Sequence, residues 1–256
     1  MQKSNDIIIR LKNKLLLFLL FICLFPFTLT AQEIVNVVLV GDNGITEDVK
    51  KATSFIVVKH YNDSAFERLD YKMSAPLIKL RTYSDSNLTL LQGRYMEYHP
   101  SGELHIIGEY INNLKEKEWH YYDETGKENL IETYKAGELT ASKLPDTSKK
   151  KDSITYKDER EAQFKIGKNE WNKYLQENLK TEVGLRSLKG GTVRVLFIIN
   201  TDGKLSNINL KKSVEFVLDE EVLRVVRNSP PWIPAFQNGK TVKAYRVQPI
   251  TFSVTQ

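Results

Sequence analysis

The sequence predicts an α+β protein: a mostly β repeat module followed by a C-terminal antiparallel domain of two helices and three strands. Three observations predict it. Aromatic and glycine positions recur at a 24-residue offset between residues 93 and 137. A polar stretch, residues 140–160, separates that part from the next. Beyond it the apolar pattern switches between helical and strand periods in the order helix, strand, strand, helix, strand.

The first 31 residues read as a secretory signal peptide. Lys3, Arg10, Lys12 and Lys14 form a basic start, Leu15 to Phe27 is an apolar run of 13 residues, and Leu29-Thr30-Ala31 precedes Gln32. A membrane-spanning helix needs ~20 apolar residues, and this run also holds Pro26. Cleavage after Ala31 is therefore expected, with retention as a short inner-membrane anchor facing the periplasm as the alternative. Cys23 follows Phe21-Ile22, not the small residue that a lipoprotein cysteine requires. It is the sole cysteine, so the cleaved chain would lack any disulfide, thiolate site or cysteine nucleophile. Cleavage also lowers the net charge from +5 to +2, which describes a mixed surface and argues against a nucleic-acid partner.

Residues 32–91 form a β-rich N-terminal segment. Ile34–Val40 and Phe55–Lys59 are β-branched and strand-like, Thr46–Ala52 suggests a helical turn, and the remainder gives no clear pattern.

Residues 92–139 carry the internal repeat. Tyr95 corresponds to Trp119, Tyr98 to Tyr122, Gly102 to Gly126, Ile107 to Ile131, Tyr110 to Tyr134 and Asn113 to Gly137. Each unit reads as a strand, a glycine turn and a second strand, and a lone hairpin cannot bury its face, so the units should stack into a sheet. The pattern resembles MORN-type repeats and related antitoxin-like repeats over about Tyr83–Leu139, with Lys117 in the place of the leading glycine. A plain β-meander is the alternative. Residues 140–160 then read as a polar linker containing Pro145 and Lys149-Lys150-Lys151. The lysines keep such a linker soluble, and they could also touch anionic lipid heads or peptidoglycan.

Residues 161–256 form the predicted C-terminal domain. Trp171, Tyr174, Leu175 and Leu179 share a helix face. Gly190-Gly191 opens a strand, Thr192–Asn200, with Val193, Val195, Phe197 and Ile199 on one side. Asn200-Thr201-Asp202-Gly203 is a hairpin turn, and Lys204–Ser213 returns. Leu218–Asn228 is a second helix. Its stripe is Leu218, Val222, Val225 and Val226, its acidic start is Asp219-Glu220-Glu221, and Glu220 can pair with Arg224. Pro230-Pro231 stops it, and Ala244–Val254 is the last strand.

This order resembles the C-terminal domain of TonB proteins, the energy transducers of Gram-negative bacteria. The matching residues are Trp171 and Tyr174-Leu175; Gly191-Thr192-Val193 leading to Phe197; Asp202-Gly203; Lys212-Ser213; Leu218-Asp219; Trp232-Ile233-Pro234-Ala235; Asn238-Gly239-Lys240; and Pro249-Ile250-Thr251-Phe252. The resemblance implies a periplasmic domain that captures an extended peptide from an outer-membrane TonB-dependent receptor, or from another envelope protein, by adding a strand to its sheet. By carry-over the receiving edge is the final strand, with Val242, Ala244, Tyr245, Arg246, Val247, Gln248 and Ile250 as the partner-binding residues. Energy coupling would need an uncleaved helix containing His and a Pro-rich spacer; residues 15–29 hold no His and residues 140–160 one Pro. The implied role is thus partner binding linked to TonB-dependent transmembrane transport. A structural or surface-recognition repeat protein of the envelope is the alternative.

No catalytic motif, cofactor site or metal site is expected. His60, His99, His105 and His120 lack ligand spacing, and Gly190-Gly191 lacks a phosphate-binding pattern. Protein contact, not catalysis, is the expected activity. The exported protein should begin at Gln32, which N-terminal sequencing of the periplasmic fraction checks; a chain that still begins at Met1 would mean retention as an anchor.

Overall fold

The structure, a computed structural model, describes residues 33–61, 65–146, 159–165, 169–180, 182–183, 187 and 190–253. The signal-peptide reading, Cys23, and residues 147–158 of the expected linker lie outside them. The described residues form one compact unit. No helix among the described residues is long and apolar enough to cross a membrane.

The dominant element is a single antiparallel sheet. Its ten strands are β1 (Glu33–Gly41), β2 (Gly44–Ile45), β3 (Ala52–His60), β4 (Phe66–Lys72), β5 (Leu77–Tyr83), β6 (Leu91–Tyr98), β7 (Leu104–Ile111), β8 (Leu114–Tyr122), β9 (Glu128–Lys135) and β10 (Glu138–Lys143), in the order β10-β9-β8-β7-β6-β5-β4-β3-β1-β2. The expected α+β class is therefore overturned: the chain is mostly β, and the named helices among the described residues are two and short. The reason lies in residues 33–91. They contribute five strands whose alternation is masked by charged residues, such as Lys59 and Glu67, that point inward and are buried in pairs. At Thr46–Ala52, where a helical turn is expected, the chain makes one hydrogen-bonded turn, with Lys51 and Ala52 donating their N–H to the Asp48 and Val49 carbonyls, and then enters β3 at Ala52 without a regular helix.

The two hairpins of the 24-residue repeat copy each other's turns. His99 and Asp123 both donate their N–H across a tight turn, to Glu103 and Lys127 carbonyls, and both accept from the glycine three residues on. Gly102 and Gly126 hold φ of 84° and 80°, where a side chain would be strained.

Alternation divides each strand between two faces. The inner face carries Val57, Leu69, Tyr71, Leu80, Met96, Tyr98 and Leu104, which join one core with the C-terminal part. The outer face has a second, smaller cluster. Trp119 is 1% exposed there, because Tyr95 and Tyr110 stand 5.3 and 5.1 Å from its ring and Lys115 lies 4.2 Å above it. The indole lies flat over Gly108.

The C-terminal part holds α1 (Glu170–Asn178), α2 (Phe216–Arg227) and a three-stranded sheet of β11 (Gly191–Ile199), β12 (Leu205–Lys212) and β15 (Ala244–Phe252), ordered β12-β11-β15. Val193, Val195, Phe197 and Ile199 on β11 are fully buried, as are Leu218, Val222, Val225 and Val226 on α2. Trp232 closes the far end, packed by Phe164, Trp171 and Phe197. Its backbone N–H donates to Gly203, where a Cβ would stand 2.2 Å from the Trp232 carbonyl oxygen. The Glu220–Arg224 pair does not form. Arg224 pairs with Glu221 at 2.7 Å, three residues back on the same helix, while Glu220 turns to a tertiary partner, Lys59, at 2.5 Å. Between α2 and β15 lies a two-stranded ribbon, β13 (Ala235–Gln237) and β14 (Lys240–Val242), closed by Asn238 and Gly239 with positive φ.

Replacing Gly108 by Ala would set a Cβ 2.3 Å from the Trp119 ring. The Gly108→Ala variant should lose about 3 kcal/mol through overpacking, read as a thermal midpoint lower by roughly 6–12 °C in a chain of this size.

Candidate partner-binding edge

A three-stranded sheet has two edges, and each presents backbone groups that need partners. The β12 edge is covered by the inner face of the large sheet. Tyr98 donates its hydroxyl to the Leu210 carbonyl at 3.0 Å, and Arg94 donates to the Ile208 carbonyl and to Asn209 Oδ1. Arg94 is itself held by Glu67 at 2.7 Å, and Tyr61 donates to the other Glu67 oxygen. Burial would raise the Glu67 carboxyl, yet the charges of Arg94 and Lys59 and the Tyr61 bond bring it below the ordinary value. At the end of β12, Glu103 pairs with Arg194 and with Lys212.

Ser213 ties this covering in place. Its N–H donates to Gly102, its Oγ accepts from the Leu77 N–H at 2.8 Å, and it donates to Asp219 at 2.5 Å. Tyr71 and the Val214 N–H donate to the same carboxylate. Asp219 is fully buried, and burial pushes its carboxyl up to about 7 against those three donors. A Cβ on Gly102 would stand 2.1 Å from the Ser213 carbonyl oxygen, so only glycine permits the approach.

The β15 edge is different. β15 pairs with β11 from Gly191↔Phe252 to Ile199↔Ala244 without a bulge. Among the described residues no further backbone hydrogen bond reaches its other side. Pro249 sets the phase. A proline cannot donate, so within a paired strand its nitrogen faces away from the ladder. The backbone groups of Tyr245, Val247 and Thr251, two residues apart in the same phase, therefore also face outward. Tyr245 is 75% exposed and Val247 44%.

The sequence-predicted partner residues thus fall into three groups. Tyr245 and Val247 carry outward backbone groups and exposed side chains. Ala244, Arg246, Gln248 and Ile250 direct their backbone toward β11; Ile250 is buried in the core, and Arg246 lies 3.7 Å from Glu161. Val242 sits in the preceding ribbon, paired with Ala235. Sequence reasoning missed that ribbon, although Asn238-Gly239 is a strong hairpin signal. It missed the covering of β12 altogether, since no local pattern announces a contact 115 residues away in sequence such as Arg94–Asn209.

Elsewhere, the His99 and His105 rings lie 4.3 Å apart with their planes tilted by 40°, His99 contacts the Tyr122 carbonyl, and His120 contacts Glu128. Among the described residues no three His, Cys, Asp or Glu side chains converge as metal ligands would.

The family described as Gram-negative bacterial TonB protein C-terminal matches residues 185–254. The match takes in β11, β12, α2, the ribbon and β15, supports a TonB C-terminal domain there, and begins after α1. That family is a protein-interaction domain of the bacterial envelope, not an enzyme family. Searches of curated proteins and of solved structures returned no match.

Asp219 gives the covering a pH dependence. Its folded value of about 7 lies above the ordinary 3.8, so the folded state keeps a proton that the unfolded chain has released. The stabilisation is complete below 3.8 and is lost as pH rises through 7. The thermal midpoint of the wild type, measured against Asp219→Asn at each pH, should fall across that window and level off above it; a constant difference would show that this carboxyl does not titrate there.

Proposed function

We propose that the protein is an exported envelope protein whose TonB-like part binds an extended segment of an outer-membrane receptor, or of another envelope protein, by strand addition at β15. The observation that carries this reading is the unequal treatment of the two sheet edges. Arg94 and Tyr98 occupy β12, while Tyr245, Val247 and Thr251 present on β15 a row that no strand among the described residues pairs with. Main-chain bonds to that row supply affinity, and the exposed Tyr245 and Val247 side chains supply selectivity. Pro249 lacks a donor, so the added strand makes its bonds chiefly beside Tyr245 and Val247.

The family match supports an envelope protein of TonB type, and the basic, apolar and small-residue layout of residues 1–31 supports export to the periplasm with cleavage. The role in transport is then docking: the chain brings a receptor segment to a fixed surface, without itself engaging an energy source. The 24-residue units belong to this reading as a MORN-like module whose inner face secures the binding sheet.

The test is fluorescence anisotropy of labelled peptides from the periplasm-facing segments of outer-membrane receptors, titrated with the exported chain. Saturable binding is expected. Val247→Pro removes an outward donor without touching the β11 ladder, so it should abolish binding and leave the thermal midpoint nearly unchanged. Binding that survives Val247→Pro would place the partner elsewhere.

A further inference from the structure

The outer face of the large sheet, turned away from α2, holds a depression that strand addition does not use. Its volume is about 290 Å³, and Arg68, Lys79, Arg81, Val40, Ile56 and Ile78 line it together with Asp70 and Ser54. Arg68 and Arg81 stand directly opposite each other in the β4–β5 register. Like charges in that position destabilise a sheet. A single carboxylate serves both: Arg68 donates to Asp70 Oδ1 at 2.7 Å and Arg81 to Oδ2 at 2.6 Å. Lys79, opposite Asp70, turns instead to Glu97 at 2.5 Å. The two guanidinium groups therefore share one negative charge, and one positive charge is left over at the floor of the depression.

The hydrogen-bond inventory points the same way. Arg81 uses one N–H on Asp70, and its Nε is buried with no acceptor among the described residues. The charge of Arg81 is therefore only partly matched, which costs free energy that a ligand anion would recover, and its side chain is 24% exposed, open to one. Ser54 adds a hydroxyl on the wall. The rest of the lining is aliphatic: Val40 and Ile56 on β1 and β3 at one side of Asp70, and the half-exposed Ile78 beside Lys79 on β5 at the other. We propose that this depression binds a carboxylate joined to a short aliphatic group, with the carboxylate on Arg68 and Arg81 and the aliphatic part against Val40, Ile56 and Ile78. A planar carboxylate suits the guanidinium fork, and the site is too small for a folded partner. A peptide C-terminus with an aliphatic side chain and a short fatty acid both present this chemistry.

Isothermal titration calorimetry of the exported chain tests it with three probes: N-acetyl-leucine, hexanoate and neutral N-acetyl-leucinamide. Both acids should bind saturably and the amide should not; the tighter acid identifies a peptide terminus or a fatty acid as the natural source. Arg81→Gln should weaken the acids about tenfold or more. Ile78→Asp, at a half-exposed position that leaves the arginine pair intact, should weaken them as much. If Arg81→Gln does not fold, Arg68→Gln takes its place with the same expectation. Absence of saturable heat with both acids, equal affinity for the amide, or wild-type affinity in a folded variant would each overturn the proposal. Val247→Pro leaves this site unchanged, so failure here and failure of the β15 reading are separate results.

Discussion

The contact on which the architecture depends is the buried carboxyl of Asp219. It stands at the start of α2, accepts from Tyr71 on β4, from Ser213 at the end of β12 and from the Val214 N–H. Through Ser213 it also reaches the Leu77 N–H on β5. A carboxyl in an apolar interior is costly unless its lone pairs are used, and here three donors from two sheets converge on it. The two sheets consequently share one core, and Gly102 makes the approach of their backbones sterically feasible.

That docking decides which edge of the small sheet stays available. Once Asp219 and Ser213 have seated the inner face of the large sheet, Arg94 and Tyr98 fall beside the β12 carbonyls and satisfy them. Glu67 keeps Arg94 in place and is kept ionised by it. Lys59, 1% exposed, is paired with Glu220 on the other side of the seam. Breaking one member of such a pair strands the other in the interior, which makes the arrangement resistant to piecemeal change. β15 has no comparable cover among the described residues, and Pro249 marks it as a strand built for an edge.

The large sheet has different duties on its two faces. Inside it secures β12; outside it carries the Trp119 cluster and the arginine pair. The Trp119 ring lies against Gly108, with tyrosines on either flank, so the repeat's aromatic positions do more than fill a core. Tyr95 and Tyr110 belong to the first repeat unit, Trp119 and Tyr134 to the second, and their rings bind one unit to the next.

Much of the C-terminal part was legible because its signals are local. Alternation on β11, the apolar stripe of α2, Pro230-Pro231 after it and the glycine turns each follow from one residue and its near neighbours. The same holds for the strands at Ile34–Val40 and Phe55–Lys59 and for the 24-residue offset. The extent of the sheet was not legible, and the α+β class failed for that reason: Lys59, Glu67 and Arg94 read as surface residues until tertiary partners appear. By itself the sequence determined the turns, the repeat and the core stripes, since backbone φ and side-chain period are properties of short segments. Only the tertiary structure decided that residues 33–143 form one sheet, that it covers β12 and leaves β15, and that Arg68 meets Arg81, because buried polar pairing joins groups that neighbour one another only after the chain has folded.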